Sequence, residues 1–371
     1  MDSPPVDAVV DGPPAHGATC DLLVIGSGAA GFAAAVTARA LGLDVLMAEK
    51  AAQFGGTTVS SAGVIWIPGS RQARAQGIED SAASVLAYLA AQGGNRLDRD
   101  KAEAYANEAA NILEWFETHS HLRCALAPAW PDYHPTEPGG AAGGRSLGPQ
   151  PFDGRTLGVH FRTLRPPIAT TMIFGGMIVG REDLMHFYGM QRSLRSMTYV
   201  GRLFARYLQD RLAYSRGTRL SNGSALVAML ARTAFESGVR LHLRSPMERL
   251  LREHGRITGA CVAGIEIRAR LGVVLATGGF PASDDLRTRY YDHVAQGLPH
   301  HTLAPRENVG DGLRAASEVN VALVENQKNP AAWTPVSLAR QKDGALLPFP
   351  HFFDRGKAGY IAVNRQGRRF V

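Results

Sequence analysis

Residues 21–63 constrain the fold more than any other part of the chain. An apolar, β-prone run, Leu22–Leu23–Val24–Ile25, is followed by Gly26, Gly28 and Gly31. An alanine-rich segment of helical character comes next, then a second β run, Val45–Leu46–Met47, closed by Glu49. A strand, a glycine turn, a helix, a strand and an acid in that order mark a unit that holds a dinucleotide at the turn. Gly26 lets the chain turn sharply off the strand, Gly28 leaves room for a pyrophosphate against the backbone, and Gly31 lets the helix pack close to the sheet. Ser27, Ala29 and Ala30 complete the cofactor-binding turn. The free N–H groups and positive dipole end of the helix then face the phosphates. Glu49 lies 23 residues beyond Gly26, close to the spacing of an acid that bonds a ribose 2′-OH. An acid there favours an unphosphorylated ribose, so FAD or NAD over NADP.

Glycines also mark ordinary turns, and it is the strands on both sides that turn this pattern into a dinucleotide site. The next stretch separates FAD from NAD. Gly55-Gly56-Thr57-Thr58 and Ser60-Ser61-Ala62-Gly63 form a second small-residue loop, followed by Val64-Ile65-Trp66-Ile67-Pro68. A flavin lying across such a loop needs backbone donors and hydroxyls with little bulk, although a flexible Gly/Ser loop has the same composition. Glu49-Lys50, Phe54-Gly55-Gly56-Thr57-Thr58, Ser61, Gly63, Trp66 and Pro68 together resemble the FAD-dependent 3-ketosteroid dehydrogenases. These are part of the wider fumarate reductase and succinate dehydrogenase flavoprotein superfamily.

With 371 residues, 45% of them hydrophobic and 20% charged, the chain is long enough for one large or two smaller globular domains. Its net charge of +7 is nearly all arginine, because only five of the 40 basic residues are lysines. The basic residues are scattered and not interleaved with aromatics. They read as a solvated surface that helps to draw in an anionic ligand, and not as a nucleic-acid stripe. Cys20, Cys124 and Cys261 stand far apart and form no CxxC. That disfavours zinc, haem c and a disulfide framework, and suits the cytoplasm. Residues 1–19 lack a basic start and an apolar core, so they read as a disordered leader and not a signal peptide. No apolar run reaches transmembrane length.

Residues 71–118 carry apolar residues at helical spacing, interrupted by Gly93-Gly94-Asn95. Residues 121–180 are rich in Pro, Gly and aromatics and read as a functional loop region. Helix is expected over 184–216, and an amphipathic helix over Ala225–Ser237. Val239–Leu243, Glu248–Leu251 and Ile257–Val262 read as an antiparallel meander. Val273–Leu275 reads as a buried strand ending in a glycine turn, and Tyr360–Asn364 as a final strand. The expected architecture is α/β: a doubly wound, Rossmann-like FAD-binding domain at 20–322 with an inserted meander. The start of a second, substrate or capping domain then occupies 323–371.

The resemblance extends over about 20–371. It implies that Ala276-Thr277-Gly278-Gly279-Phe280 is the strand returning to FAD and that Asn308-Val309-Gly310-Asp311-Gly312 is the family's NxGDG turn. Met247, at a position usually held by Val, would use its backbone against the adenine. Trp130-Pro131-Asp132-Tyr133 resembles the family's PDY segment, which implies that Tyr133 is the tyrosine assisting the catalytic base. The implied reaction is 1,2-desaturation of a 3-oxosteroid in steroid breakdown. A base removes a C2 proton acidified by the 3-oxo group, C1 gives hydride to the flavin, and an external electron acceptor reoxidises it. A free phenol has a pKa of about 10, so a tyrosine base needs neighbours that stabilise its anion. The segment resembling Tyr360–Val371 precedes that base in the family. The chain is therefore expected to be C-terminally truncated, with little or no turnover alone. Rival readings are a 3-oxosteroid 4,5-dehydrogenase, a fumarate reductase-like flavoprotein and a non-catalytic flavin-binding protein.

Overall fold

The computed structural model describes residues 4–325, 330–341, 344, 346–351, 361, 363–364 and 366–369. The first glycine-turn unit forms as its sequence dictates. Strand β2 (Thr19–Ile25) runs into helix α1 (Ala29–Ala40), and β3 (Val45–Ala48) returns parallel to β2 with Val24 opposite Met47. Leu23, Val24, Val45, Leu46 and Met47 are all buried. Both faces of these strands are covered, which explains their continuous apolar runs.

A seven-stranded sheet is built around this pair. The remaining strands are β1 (Val9–Asp11), β4 (Arg240–Leu243), β5 (Met247–Glu253), β6 (Arg256–Val262) and β7 (Ile265–Leu275). The spatial order is β1-β4-β3-β2-β7-β6-β5. The pairs from β1 through to β7 are parallel, while β7, β6 and β5 form an antiparallel meander. One strand joins the two halves. The first part of β7 pairs antiparallel with β6, and Arg268–Leu275 pair parallel with β2 across a register shift between Ala269 and Gly272.

Several expectations need correcting. Residues 240–243 are not the first meander strand but a parallel member of the main sheet, and the third meander strand is the start of β7. Val273, Val274 and Leu275 are half-buried and not fully buried. The leader is not disordered over the described residues: Val9–Asp11 pair with Leu241–Leu243 and so form the sheet edge. Gly12 N–H donates to Leu243 O at 3.1 Å, and His160 Nε2 meets Pro5 O at 2.7 Å. Val9 and Val10 are half-buried, so apolar contact and ladder hydrogen bonds offset the ordering entropy of this short segment.

Helix α6 (Asn222–Glu236) is buried from Gly223 to Phe235 except at Thr233. It was expected to be amphipathic, but it runs between α1, the 55–63 loop and the 147–161 segment as a central core helix. Phe32, Phe54 and Phe235 meet edge-on in a closed trio with centroids 5.7–5.8 Å apart. Each such contact contributes about 0.5–1.5 kcal/mol beyond burial. The other face of the sheet holds a second core of Cys20, Leu23, Ile25, Leu46, Ile267 and Ala315. Ala315 comes from helix α7 (Asp311–Glu318).

The 71–118 stretch forms α2 (Ala82–Gly93) and α3 (Arg99–His119) after a short turn of helix, and 184–216 forms α4 (Arg181–Gly189) and α5 (Leu194–Asp210). Residues 121–180 are more than a loop. Cys124–Leu126 and Ser146–Pro149 join Ile65–Trp66 in a three-stranded antiparallel sheet. In 323–371, Val336–Arg340 and Leu346–Pro350 form an antiparallel hairpin. Of the expected final strand, Tyr360 and Ala362 lie outside the described residues, as do Arg365, Phe370 and Val371. Among the described residues no helix is long and apolar enough to cross a membrane.

Candidate functional site

A cleft of about 1080 Å³, part of it open solvent, lies where β2, β3 and β7 end at their carboxyl edges. This is the edge at which open parallel sheets bind ligands. The first glycine turn forms its floor. Gly26 has φ +104°, and a Cβ there would fall 2.3 Å from Ala276 O; a Cβ at Gly31 would fall 2.0 Å from Gly26 O. Both glycines therefore let backbone meet backbone. Gly28 differs: its nearest protein atom to a built Cβ is Thr58 Oγ1, at 3.5 Å. The space over Gly28 belongs to the cleft, as a pyrophosphate cradle requires. Gly28, Ala29 and Ala30 bring the N-terminal turn of α1 to the cleft wall.

Glu49 stands at the end of β3, on the wall. Its Oε2 accepts from Ser27 Oγ at 2.6 Å and Ser27 N–H at 3.2 Å, and its Oε1 accepts from Ala51 N–H at 2.8 Å. Ser27 Oγ in turn accepts from Gly55 N–H at 3.2 Å. The acid thus ties the first glycine turn to the second small-residue loop. Thr58 Oγ1 caps Ala29 N–H at 3.1 Å, and Thr57 Oγ1 accepts from Asn308 Nδ2 at 2.6 Å. Across the cleft, Lys50 pairs with Asp311, at the first turn of α7.

The structure brings most of the sequence-derived cofactor residues together. Gly26, Ser27, Gly28, Ala29, Ala30, Glu49, Lys50, Gly56, Thr57, Thr58, Met247, Thr277, Gly278 and Asp311 all line the cleft. Gly31, Gly55, Ser61, Ala62, Gly63 and Gly279 do not line it. Ser61–Gly63 instead fasten the loop to α6. Ser61 O accepts from Gly223 N–H at 3.1 Å, and a Cβ on Gly223 would fall 1.7 Å from Thr58 O.

Sequence reasoning missed Gln53, Arg165, Ser245 and Glu307, which also line the cleft. Arg165 Nη2 bonds Glu307 Oε2 at 3.1 Å. Burial acts to raise the Glu307 carboxyl's pKa, but its own backbone N–H, the Arg165 charge and hydrogen bond, and Lys50 leave it below the usual range. Arg165-Pro166-Pro167, in a stretch otherwise read as loop, was the available signal. The position of Glu307, one residue before the Asn308 motif, was another.

Tyr133 does not lie in the cleft lining, and the residue is 84% exposed. Its neighbour Asp132 is buried and anchors the segment. Asp132 Oδ1 accepts from Trp66 Nε1 at 2.7 Å, and Oδ2 accepts from Arg145 Nη1 and from Ala141 N–H, both at 2.9 Å. Arg145 also forks onto Asp80, at 2.6 and 2.8 Å. His134 is a loop neighbour whose N–H donates to Tyr88 OH at 3.3 Å. Among the described residues no group of three or more His, Cys, Asp or Glu could hold a metal ion.

Comparisons with known proteins bear on this cleft directly. The chain is 36% identical to the 4-oxocyclohex-2-ene-1-carboxylate 5-dehydrogenase of Sinomonas cyclohexanicum, over 95% of this chain and 60% of that protein. It is 33% identical to a 3-oxosteroid 1-dehydrogenase of Mycolicibacterium smegmatis, over 95% of this chain and 61% of that protein. Its fold superposes on the crystal structure of the 3-ketosteroid Δ1-dehydrogenase from Sterolibacterium denitrificans with a TM-score of 0.76. The identity is 30%, over 90% of this chain and 59% of the other. The chain thus spans about 60% of the length of these relatives. A family model described as an FAD binding domain matches residues 21–371, and Gly28, in the cleft lining with no closer neighbour to a Cβ than Thr58 Oγ1 at 3.5 Å, fits its ligand. The chain therefore belongs to the FAD binding domain family, and its cofactor is FAD.

Proposed function

We propose that the protein is an FAD-dependent dehydrogenase that introduces a double bond next to the carbonyl of a six-membered ring ketone, with a 3-oxosteroid desaturated at C1–C2 as its substrate. The observation that carries this reading is what the named relatives have in common. A 3-oxosteroid 1-dehydrogenase and a 4-oxocyclohex-2-ene-1-carboxylate 5-dehydrogenase both act on the ring bond one carbon away from the ketone. A ketone acidifies the hydrogens on its neighbouring carbon, so the same proton abstraction serves both ring systems.

FAD, when bound, supplies the acceptor for the hydride that leaves the β-carbon. The chain's own residues hold and orient it. Gly28 gives the pyrophosphate access to the backbone, and the α1 N-terminus faces its charge. Glu49 offers a carboxylate at the ribose position, and Met247 supports the adenine through its backbone. The Lys50–Asp311 pair and the Asn308–Thr57 hydrogen bond join the two sides of the cleft. Tyr133 is proposed as the phenol that assists the base taking the α-proton. Its hydroxyl-bearing ring stands clear of the protein surface, on a segment fixed by buried Asp132. The pair of electrons then passes to an external acceptor, which completes the balance. The cytoplasm remains the proposed location.

A second reading, that the substrate is an oxocyclohexanecarboxylate, is favoured by the 36% identity to a dehydrogenase of that class. An anaerobic visible spectrum of the purified protein separates the two. Bleaching of the flavin bands by a 3-oxo-4-ene steroid supports the steroid reading. Bleaching only by 4-oxocyclohex-2-ene-1-carboxylate supports the second. Bound flavin that neither ketone bleaches would accord with the low turnover expected of this chain alone, and bleaching that yields a product desaturated at another ring bond would refute both.

A further inference from the structure

The cleft is poor in positive charge for what it holds. Its lining contains three carboxylates, Glu49, Glu307 and Asp311, against two cations, Lys50 and Arg165. The sum is −1, before the two negative charges of a dinucleotide pyrophosphate are added. Lys50 faces Asp311. Arg165 differs. Its Nη2 bonds Glu307, while its Nε is buried with no hydrogen-bond partner among the described residues. A guanidinium has five donors, and a buried donor without a partner is costly enough that folded proteins rarely keep one without a ligand or water.

Its backbone places Arg165 beside the phosphate cradle. Arg165 N–H donates to Phe54 O at 2.9 Å, and Leu164 bridges Phe54 in parallel. Two residues beyond Phe54, a Cβ on Gly56 would lie 3.6 Å from Gly28 Cα. Arg165 is therefore fixed to the loop that abuts the pyrophosphate glycine. Glu307 holds the guanidinium from the other side, next to Asn308, which bonds Thr57. The fifth of the Arg165 side chain that remains exposed belongs to a residue of the cleft wall.

We propose that Arg165 is the anion-recognising side chain of the cleft and gives charge-assisted hydrogen bonds to the pyrophosphate of FAD, with Glu307 as the residue that orients it. This rests on the FAD assignment and not on the substrate class. The guanidinium fork matches phosphate oxygens in pairs, which a lysine cannot reproduce.

The test is fluorescence titration of the deflavinated full chain with FAD, ADP and riboflavin. ADP carries the pyrophosphate without the flavin, and riboflavin the reverse. In Arg165→Gln, FAD and ADP should bind about 10–100-fold more weakly, with riboflavin unchanged. Wild-type FAD affinity should fall with added salt more steeply than that of the variant. Arg165→Lys should recover part of the loss. The double variant Arg165→Gln/Glu307→Gln should show the same loss, which separates it from the effect of an unpaired Glu307. Glu307→Gln, which removes the opposing charge but keeps an oxygen to accept from Arg165 Nη2, should hold or improve FAD affinity, whereas Glu307→Ala should lose part of it in the wild type and none in the Arg165→Gln background. FAD and ADP binding unchanged in folded Arg165→Gln would overturn the proposal, and so would a loss confined to riboflavin. Failure of the wild type to bind FAD would overturn the cofactor assignment together with it.

Discussion

Replacing Arg145 with methionine tests whether the segment carrying Tyr133 is held by a desolvated ion cluster. The Arg145 side chain is 3% exposed, Asp80 11% and Asp132 1%. Arg145 joins the two acids, donates to Ser84 Oγ at 3.0 Å and Gly139 O at 2.9 Å, and lies 5.5 Å from the Trp66 ring. Methionine matches the length of the stem but leaves two carboxylates facing each other without their cation. Breaking a buried pair from one side costs about 3–5 kcal/mol, a large share of the roughly 5–15 kcal/mol that stabilises a typical protein. At about 2 °C per kcal/mol for a long chain, the melting temperature should fall by roughly 6–10 °C. Arg145→Lys should lose part of this, because a single ammonium cannot span both acids with a planar fork. Thermal melts followed by circular dichroism give the global effect, and limited proteolysis across 130–145 the local one. Trp66 emission gives a third readout, since its indole N–H bonds Asp132. An Arg145→Met protein that melts within 2 °C of wild type and resists protease equally would refute the reasoning; the 2 °C margin is about 1 kcal/mol.

The two cleft glycines should separate folding from binding. Gly26→Ala should destabilise the protein strongly, because φ +104° and the 2.3 Å approach to Ala276 O leave no room. Gly28→Val should melt close to wild type yet bind FAD weakly, and retained FAD affinity would contradict the cradle. Burial, followed by the Glu117 charge, pushes the Cys124 thiol up to about 12, and burial with Asp44 pushes Cys20 to about 11. Burial also raises Cys261. A charged disulfide reagent at pH 8 should therefore label none of the three in the folded protein and all three once unfolded. Burial lowers the pKa of His242, helped by Arg240, even though its Nδ1 meets Gly12 O at 3.0 Å. Its folded pKa lies below the unfolded value of about 6.5. The unfolded chain therefore binds the proton first, and this stability is complete above that value and lost as pH falls through the folded one. Denaturant midpoints between pH 7.5 and 5 should drop less steeply in His242→Gln, and an identical slope would remove His242 from the account.

The sheet centre and the glycine turn were legible in the sequence because their determinants are local. Leu22–Ile25, Gly26 and Gly31 sit within ten residues, and each spacing has one mechanical reason. What escaped depended on distant partners. Arg165 meets Glu307 across 142 residues, and no spacing rule connects them. Residues 240–243 have the composition of a strand, but whether a strand runs parallel or antiparallel is decided by what lies beside it. The α6 helix looked amphipathic because Arg232 and Thr233 break its apolar run. Arg232 is in fact buried, with its Nε on Glu236 at 2.7 Å. The Tyr133 motif could be read, but its exposure is set by the buried Asp132–Arg145 anchor beneath it, which links segments far apart in the chain.

The strand Val9–Asp11 has a practical consequence for anyone handling this protein. It occupies the rim of the sheet next to Arg240–Leu243, secured by His242 on Gly12 O and by Arg244 Nε on Asp11 at 2.9 Å. A protein trimmed to begin just before the glycine fingerprint would keep every residue of the cleft lining and still present a bare row of ladder donors and acceptors. Such a rim recruits other chains. Loss of material to precipitation in a shortened form would then report an uncapped sheet, not a damaged flavin site, and purification tags belong where they leave Pro5–Gly12 free to dock.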